Sequence, residues 1–445
     1  MRFFRMLVKL FIGTRGTNIS GLLNITPLES MNILIVTVGS YGDVLPLVGL
    51  GRELRSRGHG VTFFTNGHFA DLIQQAELKF VPMGSAEEYD AVANHPDLWH
   101  PHKGWRLIMK RMMSGDLQKA YHLLCSHLVP EKTILISSTL GFVARLVQET
   151  HQVPNVTVHF SPGVFHSAHQ APRMPGLPLP DWLPVRFKQG VWKILDHLVI
   201  DPILKPKLNR FRHELGLPPI SRIFHHWLHS PDLVLGLFPE WFATPQPDWP
   251  PSTVLTGFPL YDDAADSALP TTIQAFLEAH SKPLVFTPGS ANKHGSPFFA
   301  EAAKACQEMN HAAIFLTRYP EQLPQPLPPH IIHFSYAPLS QLLPHCAALI
   351  HHGGIGTCSQ ALRAGIPQLI QPYAFDQFDN GARIEQLEVG RTISKRSFRS
   401  QKIIRYIQDM VSSQEVSTEC HRIQNFFKGK DSLKESCNLI EHIMP

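Results

Sequence analysis

The sequence predicts an α/β protein made of two doubly wound parallel sheets in tandem. Three observations lead there. Continuous apolar runs of strand length, such as NILIVTV from Asn32 and AALIHHGG ending at Gly354, suit strands buried on both faces. Turns containing glycine lead from such runs into segments whose apolar residues recur every three or four positions. The alternation then starts afresh past the middle of a 445-residue chain, a length that argues for two domains or more.

The first series opens at Met31. NILIVTV runs into GSYGD, and VLPLVGLGRELRSRG follows as a helix that stops at Gly58. VTFFTN is the second strand and ADLIQQAE the second helix. KTILISS and NVTVHFS, separated by the helical FVARLVQETH, continue the alternation, which implies parallel pairing. Residues 161–220 break the rhythm with prolines and hold the amphipathic stretch VRFKQGVWKILDHLVIDPIL. The segment from Phe238 to Leu269, rich in Pro, Asp and aromatics, reads as a junction. The second series is PLVFTPGS, a helix around PFFAEAAKACQEM, AAIFLT, IIHFSYA, AALIHHGG, a helix from Thr357, and PQLIQP. The expected organisation is a leader outside the fold (1–30), an N-terminal Rossmann-like domain (31–240), a linker (241–270), a C-terminal Rossmann-like domain (271–410) and C-terminal helices (411–445).

Composition narrows the function. The formal net charge is +4, yet Arg2, Arg5, Lys9, Arg15 and Glu29 give the leader +3 of it. A body this close to neutral does not point to nucleic acid as a partner. The leader is either a short amphipathic membrane anchor or sequence upstream of the true start, and the strand opening at Met31 favours the second reading. Six scattered cysteines, with no C-x-x-C pair, read as reduced thiols and a cytoplasmic location, with peripheral membrane contact at its inner face as an option.

The strongest chemical signal is residues 347–384. A buried strand meets a turn with Gly353, Gly354 and Gly356 and then a helix beginning near Thr357. Glycines let a backbone approach an anion, and a helix N-terminus offers free N–H groups, so a phosphate site is the natural inference, with His352 beside it. An ordinary turn with a packed histidine pair is the alternative. Ser290, after PLVFT, suits a phosphate or ribose, or a helix cap. Tyr336 suits stacking on a nucleobase, or burial at a strand end. Asp376 and Gln377 together suit vicinal sugar hydroxyls, or a solvated loop. Asp43 is a candidate base or a plain N-cap of the helix at Val44.

These residues resemble the donor-binding signature of family 1 glycosyltransferases with the GT-B fold. The resemblance implies that His352, Gly353, Gly354, Gly356 and Thr357, with Ser290, hold a donor diphosphate. It further implies that Asp376 and Gln377 grip the donor sugar and that Tyr336 and Ala337 stack on the base. Plant members carry Trp where this chain has Tyr336, which leaves uracil and thymine both open. In the N-terminal half, GSYGDVLP resembles the acceptor-domain loop. Plant enzymes place a catalytic His at Asp43, supported by an Asp where this chain has Ser138, so the resemblance implies Asp43 as a sole carboxylate base. GSYGDVLPLVGLGRELRSRGH, RIFHHWLHSPDLVLGLFPEWFATPQPDWP and DQFDN are similar to a subgroup, the rhamnosyltransferases of rhamnolipid biosynthesis.

The implied reaction is inverting transfer of a rhamnose- or glucose-type hexose from a dTDP- or UDP-sugar, a co-substrate, to a hydroxyl of a hydrophobic, lipid-like acceptor. No cofactor, metal or obligate protein partner is expected; there is no D-x-D motif near the site, and Asp262-Asp263 reads as a solvated turn. Regions 83–120 and 160–200 should line the acceptor pocket, with His166 or His169 as reserve bases and Arg186–Lys193 as an ordinary amphipathic helix or a membrane-resting one. Two alternatives stand beside this: a glycosyltransferase acting on a small natural product, and a non-catalytic binding or activator protein. A nicotinamide dehydrogenase is disfavoured, since no G-x-G-x-x-G follows the first strand.

Overall fold

Two all-parallel sheets carry the chain, as the apolar runs require. The computed structural model describes residues 29–261 and 268–444. The readings made for residues 1–28 and for Asp262-Asp263 therefore lie outside the described residues. The first sheet contains β1 (Asn32–Val36), β2 (Gly60–Thr65), β3 (Lys79–Pro82), β4 (Thr133–Ser138), β5 (Asn155–His159), β6 (Leu233–Gly236) and β7 (Thr253–Leu255), in the order β3-β2-β1-β4-β5-β6-β7. The second contains β8 (Leu284–Thr287), β9 (Ala313–Leu316), β10 (Ile331–Phe334), β11 (Ala348–His351), β12 (Gln368–Ile370) and β13 (Gly390–Thr392), in the order β10-β9-β8-β11-β12-β13.

The strands at the centre of each sheet are dry on both faces. Ile33, Leu34, Ile35 and Val36 are fully buried, as are Ala348, Leu349, Ile350 and His351, which is why these segments read as unbroken apolar runs. Helices cover both faces. Two carry site residues in the second half: α4 (Ile355–Ala364) after β11 and α5 (Gln377–Gln386) after β12. Three belong to the first half: α1 (Tyr41–Ser56), α2 (Gly104–Ser114) and α3 (Val185–Leu195).

Two features depart from the linear reading. β7 lies inside the stretch expected to be a linker, adding an edge strand to the first sheet. The last helix, α6 (Ser432–His442), returns to α1, and its Cys437 and Ile440 join the core beside Leu47, Leu50 and Leu54. Arg57 fastens this return with ion pairs to Glu441 at 2.8 Å and Glu53 at 3.0 Å. No helix among the described residues is long and apolar enough to cross a membrane.

Candidate active site

Each sheet reverses its winding beside its first strand, between β1 and β4 and between β8 and β11. Loops leaving the carboxyl ends there diverge and open a crevice, the usual ligand position in such sheets. The two crevices share one cleft of about 1440 Å³, lined by Asp43, Ser290, Tyr336, His352, Asp376 and Gln377 among others. Residues some 330 positions apart in sequence thus meet.

Asp43 is set by the start of α1. Ser40 is the N-cap, so the helix begins at Tyr41, earlier than expected. Asp43 is therefore not the cap but the acid of a capping box: its Oδ2 accepts from the Ser40 N–H at 2.7 Å and the Ser40 hydroxyl at 3.2 Å. That leaves Oδ1 for a ligand. A Cβ on Gly39, whose φ is +148°, would overlap the folded-back carboxylate, so this position demands glycine. Burial lifts the Asp43 carboxyl to about 6, against the lowering effect of the Ser40 contacts. Ser138 accepts from Val38 N at 3.4 Å and brings no charge to the site.

The two histidines of the glycine-rich turn divide the work. His351 Nδ1 accepts from Gly353 N at 3.1 Å, which leaves Nε2 to donate to Gln368 Oε1 at 3.0 Å, so this fully buried ring shapes the turn. His352 faces the cleft. Its ring lies between two glycines: a Cβ on Gly354 would come within 2.5 Å of Nε2, and one on Gly289 within 3.0 Å. Burial lowers His352 to about 4, so the ring is neutral at pH 7, and its buried Nδ1 has no hydrogen-bond partner. α4 starts at once, capped by Gly354, and its first N–H groups lack intrahelical acceptors. A neutral imidazole that donates an N–H beside a helix N-terminus is chemically suited to an anion. A Cβ on Gly356 would meet nothing, so the protein's own packing does not require glycine there.

Asp376 and Gln377 stand at the start of α5 with different orientations. Asp376 Oδ2 accepts from Asn380 Nδ2 at 2.8 Å, and burial, reinforced by the charge of Asp43, raises its carboxyl to about 6. Gln377 is buried and turns its Oε1 to the N–H groups of Tyr373 at 2.8 Å and Ala374 at 3.1 Å. It holds its own loop and leaves Nε2 for a ligand. Tyr336 is 42% exposed, against the alternative of a buried strand-end ring, while Ala337 is buried. Ser290 is exposed in the turn after β8 and caps no helix; the next one starts at Ser296, with Gly295 as its cap.

On the first-half side the cleft has a large apolar wall, with charged groups such as Glu88, Arg106 and Arg111 also among its lining. Met109, Met112 and Met113 from α2, with Phe142, Leu195 and Val199, line it. His166 is among the lining residues, stacked on Trp192 at 4.8 Å and pushed down to about 4 by burial. His169 is exposed and is not among them, because the backbone turns it outward where its carbonyl accepts from Lys188 Nζ at 3.1 Å.

Several site residues escaped the sequence reading. Asn380 supports Asp376, donates to Gly353 O at 3.0 Å and meets Ser161 Oγ at 3.3 Å; its spacing of four from Asp376 was the available signal. Arg318 lies 4.1 Å from the ring centroid of Tyr41, across the cleft, with no local pattern to mark it. Asp379 accepts from Arg173 N at 2.9 Å and pairs with Arg383 at 2.8 Å, and Arg383 also donates to Phe242 O.

Comparisons with known proteins bear on the fold that carries this site. Residues 33–170 match the glycosyltransferase family 28 N-terminal domain, and residues 306–432 match the C-terminal domain of erythromycin biosynthesis protein CIII-like proteins. The chain is 24% identical over 423 residues to 4'-demethylrebeccamycin synthase of Lentzea aerocolonigenes, covering 93% of this chain and 99% of that one. It is 26% identical over 402 residues to a sterol 3-beta-glucosyltransferase of Saccharomyces cerevisiae, covering 84% of this chain and 32% of the relative. Among solved structures, the glycotransferase of kitacinnamycin superposes with a TM-score of 0.71 at 18% identity, over 94% of this chain and 100% of that one. The spinosyn rhamnosyltransferase SpnG complexed with thymidine diphosphate gives 0.65 at 17% identity, over 92% and 100%. With glycosyltransferase family models on both of its halves and two parallel-sheet units around one cleft, the chain belongs to the family 1 glycosyltransferases of the GT-B fold.

Proposed function

We propose that this glycosyltransferase moves a rhamnose- or glucose-type hexose from a dTDP- or UDP-sugar to the hydroxyl of a lipid-like acceptor, with inversion. The observation that carries the reading is a carboxylate, Asp43, between an anion-binding turn on one side and a deep apolar wall on the other. Asp43 Oδ1 takes the acceptor hydroxyl's proton as its oxygen attacks the anomeric carbon. The leaving diphosphate's negative charge is met by His352, the N–H groups of Ile355–Thr357 and the positive end of α4, with Ser290 alongside, which needs no metal. Tyr336 and Ala337 receive the base, while Asp376 and Gln377 Nε2 bind sugar hydroxyls. A single displacement on the face opposite the leaving group inverts the centre.

A thymidine diphosphate donor has support in the solved relative SpnG, complexed with thymidine diphosphate. Natural products such as the rebeccamycin relative's point to a compact acceptor as the second reading. The methionine-rich wall of α2 favours a flexible chain, because unbranched thioethers mould to shapes that vary. The test is transfer with UDP- and dTDP-sugars against 3-hydroxyacyl lipids and polycyclic aglycones, read by mass spectrometry with NMR of the anomeric configuration. Product with an acyl lipid and inverted configuration is expected. Turnover restricted to polycyclic aglycones would replace the acceptor class, and no turnover with any donor would favour a non-catalytic role.

A further inference from the structure

The outer surface of the segment 182–198 carries apolar side chains that the fold leaves in solvent. Trp182 is 80% exposed, Phe187 56%, Ile194 59% and Leu198 66%, a density of exposed large apolar groups that marks an interaction site. Phe187, Ile194 and Leu198 are spaced by seven and then four positions, so they form one stripe along α3 and the π-helical turn Asp196–Ile200 that continues it. Arg186, Lys193 and His197 repeat the same spacing one position earlier and are also exposed, which places a basic row beside the stripe.

The opposite side of this helix is anchored. Trp192 is buried, stacks on His166 and donates from Nε1 to Ser167 O at 3.2 Å; buried Lys188 donates to His169 O. Leu195 and Val199, on the flank between the two sides, line the active-site cleft. One helix therefore shows an apolar face to solvent and an adjoining apolar flank to the acceptor pocket.

Charge selects the occupant. Residues 161–213 contain three carboxylates: Asp196 and Asp201 are buried and bonded to Arg222, and Asp181 pairs with Arg173 at 3.9 Å. The unpaired exposed charge that remains in this segment is basic, which complements an anionic surface. We propose that this face docks on an anionic lipid bilayer, with Trp182, Phe187, Ile194 and Leu198 entering the interface and Arg186 and Lys193 meeting headgroups. The proposal takes its direction from the lipid-acceptor reading above: a chain in the bilayer would pass along Leu195 and Val199 to the cleft without crossing water.

The test uses the full chain and vesicles of brominated phosphatidylcholine and phosphatidylglycerol, with neither donor nor acceptor present. Residues 1–30 contain no tryptophan, so fluorescence quenching reports on residues 31–445. We expect quenching at low salt that falls at least threefold in Trp182→Phe, and vesicle flotation reduced at least tenfold in Phe187→Ser/Ile194→Ser/Leu198→Ser. Arg186→Glu/Lys193→Glu should lose preference for anionic over zwitterionic vesicles while keeping the wild-type circular dichroism spectrum and melting curve. Quenching that Trp182→Phe leaves unchanged would overturn the proposal. So would a wild-type dimer in light scattering that the triple variant dissociates, which would assign the face to a second copy. Vesicle binding is read without turnover, so a failed lipid-acceptor assay and a failed docking face are separate outcomes.

Discussion

At the scale of single residues, the site depends on small side chains that make room for larger ones. Asp43 has a folded-state carboxyl near 6, above its ordinary value of 3.8, so its protonated form is favoured by folding. That contribution is complete below about pH 4 and lost as pH rises through 6. Asp43→Asn should therefore melt higher than wild type at pH 7.5, by about 1–2 kcal/mol after allowing for partial exposure, with the gap closed near pH 4. Calorimetry at the two pH values checks this. For transfer the sign is opposite: kcat/KM should rise with pH to a plateau above about 6, where the base is ionised, and Asp43→Asn should lose at least a hundredfold in kcat. A pH-independent rate in the wild type would remove Asp43 as the base. The glycines give a paired test. Gly354→Ala must displace the His352 ring, whereas Gly356→Ala meets open space. Both should weaken nucleotide binding by calorimetric titration, but only Gly354→Ala should also lower the melting temperature.

At the scale of elements, helix ends carry the candidate site residues and a helix face carries a tie between halves. α1 brings Asp43 on its first turn, α4 offers its N-terminus to an anion, and α5 begins with Asp376 and Gln377. These are the strand-to-helix junctions at which apolar runs give way to glycine, so they were legible in the sequence. The return of α6 was not, because an amphipathic C-terminal helix has the same periodicity whatever it covers. Arg57→Ala removes ion pairs to Glu441 and Glu53 and leaves both acids half-buried, Glu441 still beside His59. Urea denaturation should show a loss of about 1–2 kcal/mol, with nucleotide affinity unchanged.

At the scale of the whole molecule, the cleft is a product of two sheets joined by a shared apolar cluster, in which Phe238 and Phe242 meet Ile370 and Ile384, and by buried polar contacts beside it. Asp379 and Arg383 are both buried, bonded to each other, and reach the first half through Arg173 N and Phe242 O. Arg383→Ala strands a buried carboxylate and should cost about 3–5 kcal/mol in equilibrium unfolding. It should also raise the donor KM if Asp376 and Gln377 bind the sugar as proposed, since Asp379 lies in the first turn of the same helix. An unchanged KM would separate this clamp from donor binding.

What the sequence determined by itself was the alternation of buried strands and amphipathic helices and the glycine turns after β1 and β11. With them came the identity of the residues at those turns, since these are local patterns set by periodicity and backbone freedom. The tertiary structure decided what those residues face. It made Asp43 the acid of a capping box, turned Gln377 Oε1 into its own loop, and sent His169 away from the cleft. It also recruited Asn380 and Arg318. Each of these outcomes depends on which surfaces are packed against the residue, and packing joins positions far apart in the chain that carry no periodic trace of one another.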